Sequence, residues 1–274
     1  FFPPPPPPPP EPLWSRGLGD VYKRQLRGTS ARALDPLARR GDTRVDSALG
    51  RLLDDPVRKV RVDAAWVLRD RVDPQTTAGG DLVRMLEYNI DMPTGALQKG
   101  LYHLDRNESE KAEHYFRLAI KLDNYSAPLR HEFAIALSMM GRTSEAIDAL
   151  KEAIRLDPAE AEYHYKLALA WNETGRTDNT VPSLIKAVQL NPRHSRAWYN
   201  LGLARNGMNQ PEAAIAALLK AENVEQNDPD IPYARATILL RLRRIPEAIE
   251  AAQRALEIQP NYNPARALLQ ELGL

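Results

Sequence analysis

The chain has 274 residues, 27% of them charged, a formal net charge of +1 and no cysteine. Balanced charge argues against a polyanion-binding surface, so no nucleic-acid partner is expected. The missing thiols exclude disulfides, thiolate metal sites and covalent haem attachment within these residues, and no apolar run approaches the roughly 18 residues that span a bilayer, so no membrane insertion is expected.

Taken in order, the chain opens on Pro3 to Pro10, a run that forms extended polyproline and joins no core. The stretch Asp20-Val21-Tyr22-Lys23-Arg24-Gln25 resembles a translated adapter of the kind used to prepare sequencing libraries. Residues 1–25 are therefore read as a disordered, non-native segment, and the protein proper as a fragment beginning near Leu26.

Residues 26–73 are helical. Leu49, Leu52 and Leu53 close one helix, Asp54-Asp55-Pro56 turns the chain, and Val57, Val60, Val62, Ala64, Ala65, Val67 and Leu68 build the next. Asp55, Pro56, Val57, Arg61, Ala64 and Ala65 make this segment similar to a HEAT-type repeat. Its arginines alternate with eight aspartates between residues 35 and 73, which reads as a solvated helix face rather than an anion site. Residues 74–92 are read as a linker hinged at Gly79-Gly80, followed by a bridging helix that Asp81 caps.

From Pro93 to Tyr262 one unit is written repeatedly. Steps of 34 from Ala112 land on Ala146, Thr180, Ala214 and Ala248, and the same steps from Ala119 land on Ala153, Ala187, Ala221 and Ala255. A strict period of this length marks a stacked-repeat architecture. Within one unit, Leu129, Phe133, Ala136 and Leu137 and then Ala146, Ile147, Leu150, Ala153 and Ile154 fall at helical spacing on either side of Gly141-Arg142. Thr143 or Ser144 is placed to cap the second helix, and Pro158 stops it. Pro182 implies that the second helix of its copy starts late, with the proline in the first turn. Residues 263–274 form a last helix, with Leu268, Leu269 and Leu272 on one side, that caps the stack.

The repeats resemble the tetratricopeptide family, most fully through Trp198, Leu201, Gly202, Ala214, Leu218 and Ala221. The resemblance implies an all-α, right-handed α-solenoid: a HEAT-like unit, five tetratricopeptide repeats and a capping helix. The family lines a concave groove with its first helices. Carried over, those positions give His131, Tyr165, Asn172, Arg196, Tyr199, Asn200, Asn206 and Tyr233 as residues that bind a peptide or partner helix. Tyrosine rings supply area at low entropic cost, and the amides can pair with a peptide backbone. Leu97, Leu101, Glu132, Glu162 and Lys166 do not reproduce the family's clamp for a terminal carboxylate, so a chaperone-tail adaptor is disfavoured.

No catalytic constellation emerges: the five histidines are scattered through the repeats, and no phosphate loop or nucleophile elbow is present. The expectation is a non-catalytic interaction scaffold with no cofactor and no metal. The order of the segments is also similar to the C-terminal region of some multihaem c-type cytochromes. That alternative makes the chain the interaction tail of an extracytoplasmic electron-transfer complex, and periplasmic; otherwise it is cytoplasmic.

Overall fold

The structure is a computed structural model that describes residues 29–273. The expectations for residues 1–25 lie outside the described residues. Every element among the described residues is helical, with no strand. The chain divides into two compact units, the first running to Asn124 and the second from Tyr125.

The first unit holds a short helical segment over residues 29–33, then α1 (Asp35–Ala38), α2 (Thr43–Leu52), α3 (Arg58–Val67), α4 (Thr77–Tyr88), α5 (Pro93–Asp105) and α6 (Ser109–Leu122). Its apolar core gathers Leu49, Ala64, Ala65, Val67, Leu68, Leu82, Leu86 and Tyr102. Two expectations for this region are corrected. Gly79 and Gly80 are no hinge: they lie in the first turn of α4, whose N-cap is Thr76, accepting from the Gly79 N–H at 3.1 Å. A Cβ on Gly79 would stand 2.0 Å from the Asp73 carbonyl oxygen, so glycine is there to let two backbones touch. Asp81 does not cap α4 but sits inside it, buried, where it accepts from Arg61 at 2.6 Å, Arg84 at 2.7 Å and Arg58 at 3.2 Å.

The second unit is built from α7 (Ala127–Met139), α8 (Thr143–Leu156), α9 (Ala161–Glu173), α10 (Thr177–Leu190), α11 (Ser195–Gly207), α12 (Pro211–Val224), α13 (Asp230–Arg241), α14 (Ile245–Ile258) and α15 (Asn263–Glu271). The 34-residue period reappears as structure: α6, α8, α10, α12 and α14 begin at residues 109, 143, 177, 211 and 245. Ala112, Ala146, Ala214 and Ala248 are fully buried, as are Ala153, Ala187, Ala221 and Ala255, and Thr180 and Ala119 are almost so. In two hairpins a glycine on the first helix receives a side chain from the second, Gly100 that of Phe116 and Gly202 that of Leu218. A Cβ added to Gly202 would lie 2.7 Å from Leu218 Cγ. Phe116, Leu150, Leu184 and Leu218 recur at this place, all essentially inaccessible.

Each hairpin closes identically. Asn107, Gly141, Gly175, Asn209 and Arg243 all take positive φ, from 57° to 75°. The residue after each donates its N–H to the carbonyl five residues back, as Arg142 does to Leu137 O at 2.8 Å and Arg244 to Leu239 O at 3.0 Å. This doubly bonded closure uses the last carbonyls of the first helix. Thr143 and Ser144 do not cap the second helix, since both lie inside it; Arg142 is the N-cap, without a side-chain bond.

Pro182 is likewise corrected. Helix α10 starts at Thr177, in phase with its counterparts, and carries Pro182 in its second turn. Packing against the neighbouring hairpins sets the start of the helix, and the lost N–H does not move it. The buried Thr180 bonds its hydroxyl back to the Arg176 carbonyl at 3.1 Å, so the polar group at an otherwise alanine position is satisfied.

Candidate partner-binding face

The eight residues singled out for partner binding all lie in the second unit, on the first helices α7, α9, α11 and α13. Adjacent first helices are tied to one another by polar contacts at two recurring separations.

At 35 residues, Asn200 Nδ2 donates to the Tyr165 hydroxyl at 3.1 Å, and Arg241 donates to Asn206 Oδ1. At 32 residues, His194 Nε2 lies 3.1 Å from Glu162 Oε2, and the Tyr262 hydroxyl donates to Asp230. His194 Nδ1 accepts the Ala197 N–H at 3.2 Å as the N-cap of α11, so the ring's proton is on Nε2 and is donated to Glu162. For Glu162, burial pushes the carboxyl up, while the bonds from His194 and Lys166 more than offset this and leave it below the ordinary range.

Tyr165 is buried, its ring 4.5 Å from that of His194, and burial pushes its phenol up. Tyr199 and Tyr233 pack partly buried against one apolar cluster of the last hairpins, where Tyr233 meets the Tyr262 ring edge-on at 5.6 Å. Burial also raises the Tyr199 phenol, aided by Asp230 and Asp228. These tyrosines thus present ring edges rather than free faces. His131 stands apart, against Tyr163 at 5.0 Å, with Nε2 buried and lacking a partner; burial pushes its pKa down.

What stays available is polar. Asn172 is exposed, and with Asn200 it lines a cleft of about 280 Å³ among α9, α10 and α11, whose buried lining is Ala168, Thr180 and Leu184 and whose exposed apolar side chain is Leu203. Arg196 is exposed and makes no hydrogen bond or ion pair among the described residues. The structure therefore joins Asn172 and Asn200 at one cleft, bonds Tyr165 to Asn200 beside it, leaves Arg196 without a hydrogen bond or ion pair among the described residues, and separates His131 from the rest. The reading of the sequence overlooked Tyr262 and the role of His194 as a cap. The signal for both was the 32-residue pairing of an acidic residue with a polar ring, weaker than the alanine period because it occurs in only two copies.

Among the described residues no group of three or more His, Asp or Glu side chains is arranged to hold a metal ion, and no helix is long and apolar enough to cross a membrane. Hairpins of constant length, an invariant left-handed closure and a seam of small residues define a helical-repeat protein. Models of the tetratricopeptide repeat match residues 96–125, 139–175, 181–230 and 207–263, together more than half of the chain, which is thus a tetratricopeptide-repeat protein.

No curated protein sequence matches the chain. Among solved structures it is similar to MamA of Desulfovibrio magneticus RS-1, at 20% identity and a TM-score of 0.56 over 62% of this chain and 96% of that one. It is similar to YrrB, described as a TPR protein with an unusual peptide-binding site, at 19% identity and 0.57 over 69% and 97%. The PilF protein of Pseudomonas aeruginosa is matched at 24% identity and 0.54 over 61% and 76%. Identities this low establish a shared fold.

Proposed function

We propose that the second unit is a non-catalytic scaffold that holds an extended segment of a partner protein along its first helices. The observation that carries this is the cleft among α9, α10 and α11: Asn172 and the unused Oδ1 of Asn200 offer amide partners for a peptide backbone, beside the apolar side chain of Leu203. Arg196 on the same helix as Asn200 has its whole guanidinium available for a carboxylate of the bound segment. Tyr165, Tyr199 and Tyr233 act as rigid walls, since their rings are already packed. His131, Asn206 and Arg241 extend the face without forming the cleft.

The test is to select peptides against the whole chain from a displayed library and measure their affinity by calorimetry before and after Arg196→Glu with Asn172→Leu. Both side chains are exposed, so the variant should melt like the parent. The expected result is at least a roughly tenfold loss of affinity. A folded double variant that binds as tightly as the parent, or a library that yields no binder, rejects the assignment.

A further inference from the structure

The first unit carries a larger cavity, about 1000 Å³, formed, Gln98 apart, by residues the repeat period does not include. We propose that it is a second docking site, for an acidic protein segment bearing one large apolar side chain.

Four cations from three helical segments stand at its wall: Arg32, Arg58, Lys59 and Arg84, with side chains 56% to 70% exposed. The carboxylates that hold them lie underneath. Asp63, 1% exposed, accepts from Arg32 and Lys59, and Asp81, 5% exposed, accepts from Arg58 and Arg84. The Asp63 and Asp81 carboxylates are thus sealed in the protein while the four cations face the opening, and the Glu87 carboxylate, which also lines the cavity, is held by Lys99 at 2.5 Å.

The geometry of the arginines is more specific than their number. Arg32 and Arg58 each spend only the Nε–H on their carboxylate. The two terminal nitrogens of each guanidinium remain, a fork suited to receive a carboxylate from a ligand. Between the cations the surface is apolar: Trp66 and Val83 line the cavity, and Tyr88, 86% exposed, stands at its rim with no packing role to explain a ring in water. A carboxylate-rich segment with one Phe or Leu would neutralise the wall and fill the floor.

A nucleic acid fits less well. Val83 offers no stacking plane, and the chain as a whole has a net charge of only +1.

Three fluorescent probes are titrated into the full chain at low salt: a Glu-rich peptide with a central Phe, its Gln-for-Glu counterpart, and a single-stranded oligothymidine of similar length. Binding of the acidic peptide alone is expected. Arg32→Gln with Arg58→Gln leaves Asp63 bound by Lys59 and Asp81 bound by Arg61 and Arg84, so the fold is retained; the acidic peptide should then bind at least about tenfold more weakly. Tyr88→Ala, at a position too exposed to affect folding, should weaken it several-fold. The proposal is overturned if the acidic peptide does not bind, if the Gln peptide or the oligothymidine binds as well, or if the double variant matches the parent.

Discussion

The two units are held together differently. In the first, unique charged pairs are buried: Arg61 on Asp81 at 2.6 Å, Arg69 on Asp105 at 2.6 Å, and Arg106 donating to the carbonyls of Arg69 and Val72. In the second, most ion pairs are exposed and local, such as Arg142 with Glu145, Lys151 with Asp148 and Arg155 with Glu152, each three residues apart. The burden there falls on alanine and leucine repeated at one interval. A repeated small-to-large seam specifies its own register, because every hairpin presents the same surface to the next. The first unit holds only one such hairpin, α5 with α6, and its unlike neighbours must be matched by partners that fit in one place only. Arg51, Arg58 and Arg71 lie on the solvated face that their alternation with aspartate suggests, whereas Arg69 is buried and Arg61 nearly so.

The contrast is broken most severely at Asp81. Asp81→Ala leaves Arg61, only 16% exposed, without its carboxylate, and should cost about 3 kcal/mol of the first unit's stability, seen as an earlier transition of Trp66 fluorescence in urea. A matching loss from Asp148→Ala, whose partner pair is exposed, would erase the distinction between the units. Next is Ala187→Leu in the second unit. Nothing around this fully buried position can yield without moving a helix, so overpacking should cost roughly 1–3 kcal/mol in the transition reported by Trp171 and Trp198. The Trp66 signal should not follow it if the units are stabilised separately.

A smaller effect of opposite sign is expected at the hairpin closure. Arg243 holds φ 58° where two other copies use glycine, so Arg243→Gly should stabilise the second unit by about 0.5–1 kcal/mol, measured by thermal melting; a loss of stability would mean that its side chain contributes more than its backbone costs. The smallest effect concerns protons. Burial holds the folded His131 pKa below 6.5, so the unfolded chain binds the proton first. Its contribution to stability is complete above about pH 6.5 and falls as the pH drops from there toward the folded value. His131→Gln should flatten the fall in melting temperature of the second unit between about pH 7.5 and pH 5.5, and an unchanged slope would remove this histidine from the account.

Much of the second unit could be read before any coordinates. The alanine columns, the hairpin of constant length and the terminal capping helix follow from helical spacing and a period repeated along the chain, and the buried alanines agree with that reading. The partner-binding face was legible as a set of helix positions, though not as a geometry. That Tyr165 and Asn200 bond to each other, that Tyr199 and Tyr233 are half consumed by packing, and that Arg196 is left without a hydrogen bond or ion pair among the described residues depend on side chains about 35 residues apart meeting across helices.

Helix type is a local property, stated by residues within a few turns of one another, and the period is its recurrence along the chain, and so the sequence alone determined both. Pro182 inside α10, Gly79 packed on the Asp73 carbonyl and Asp81 buried under three arginines were decided by tertiary structure. In each case a neighbouring helix supplied the contact that outweighed the local preference, and composition and spacing carry no record of which neighbour that is.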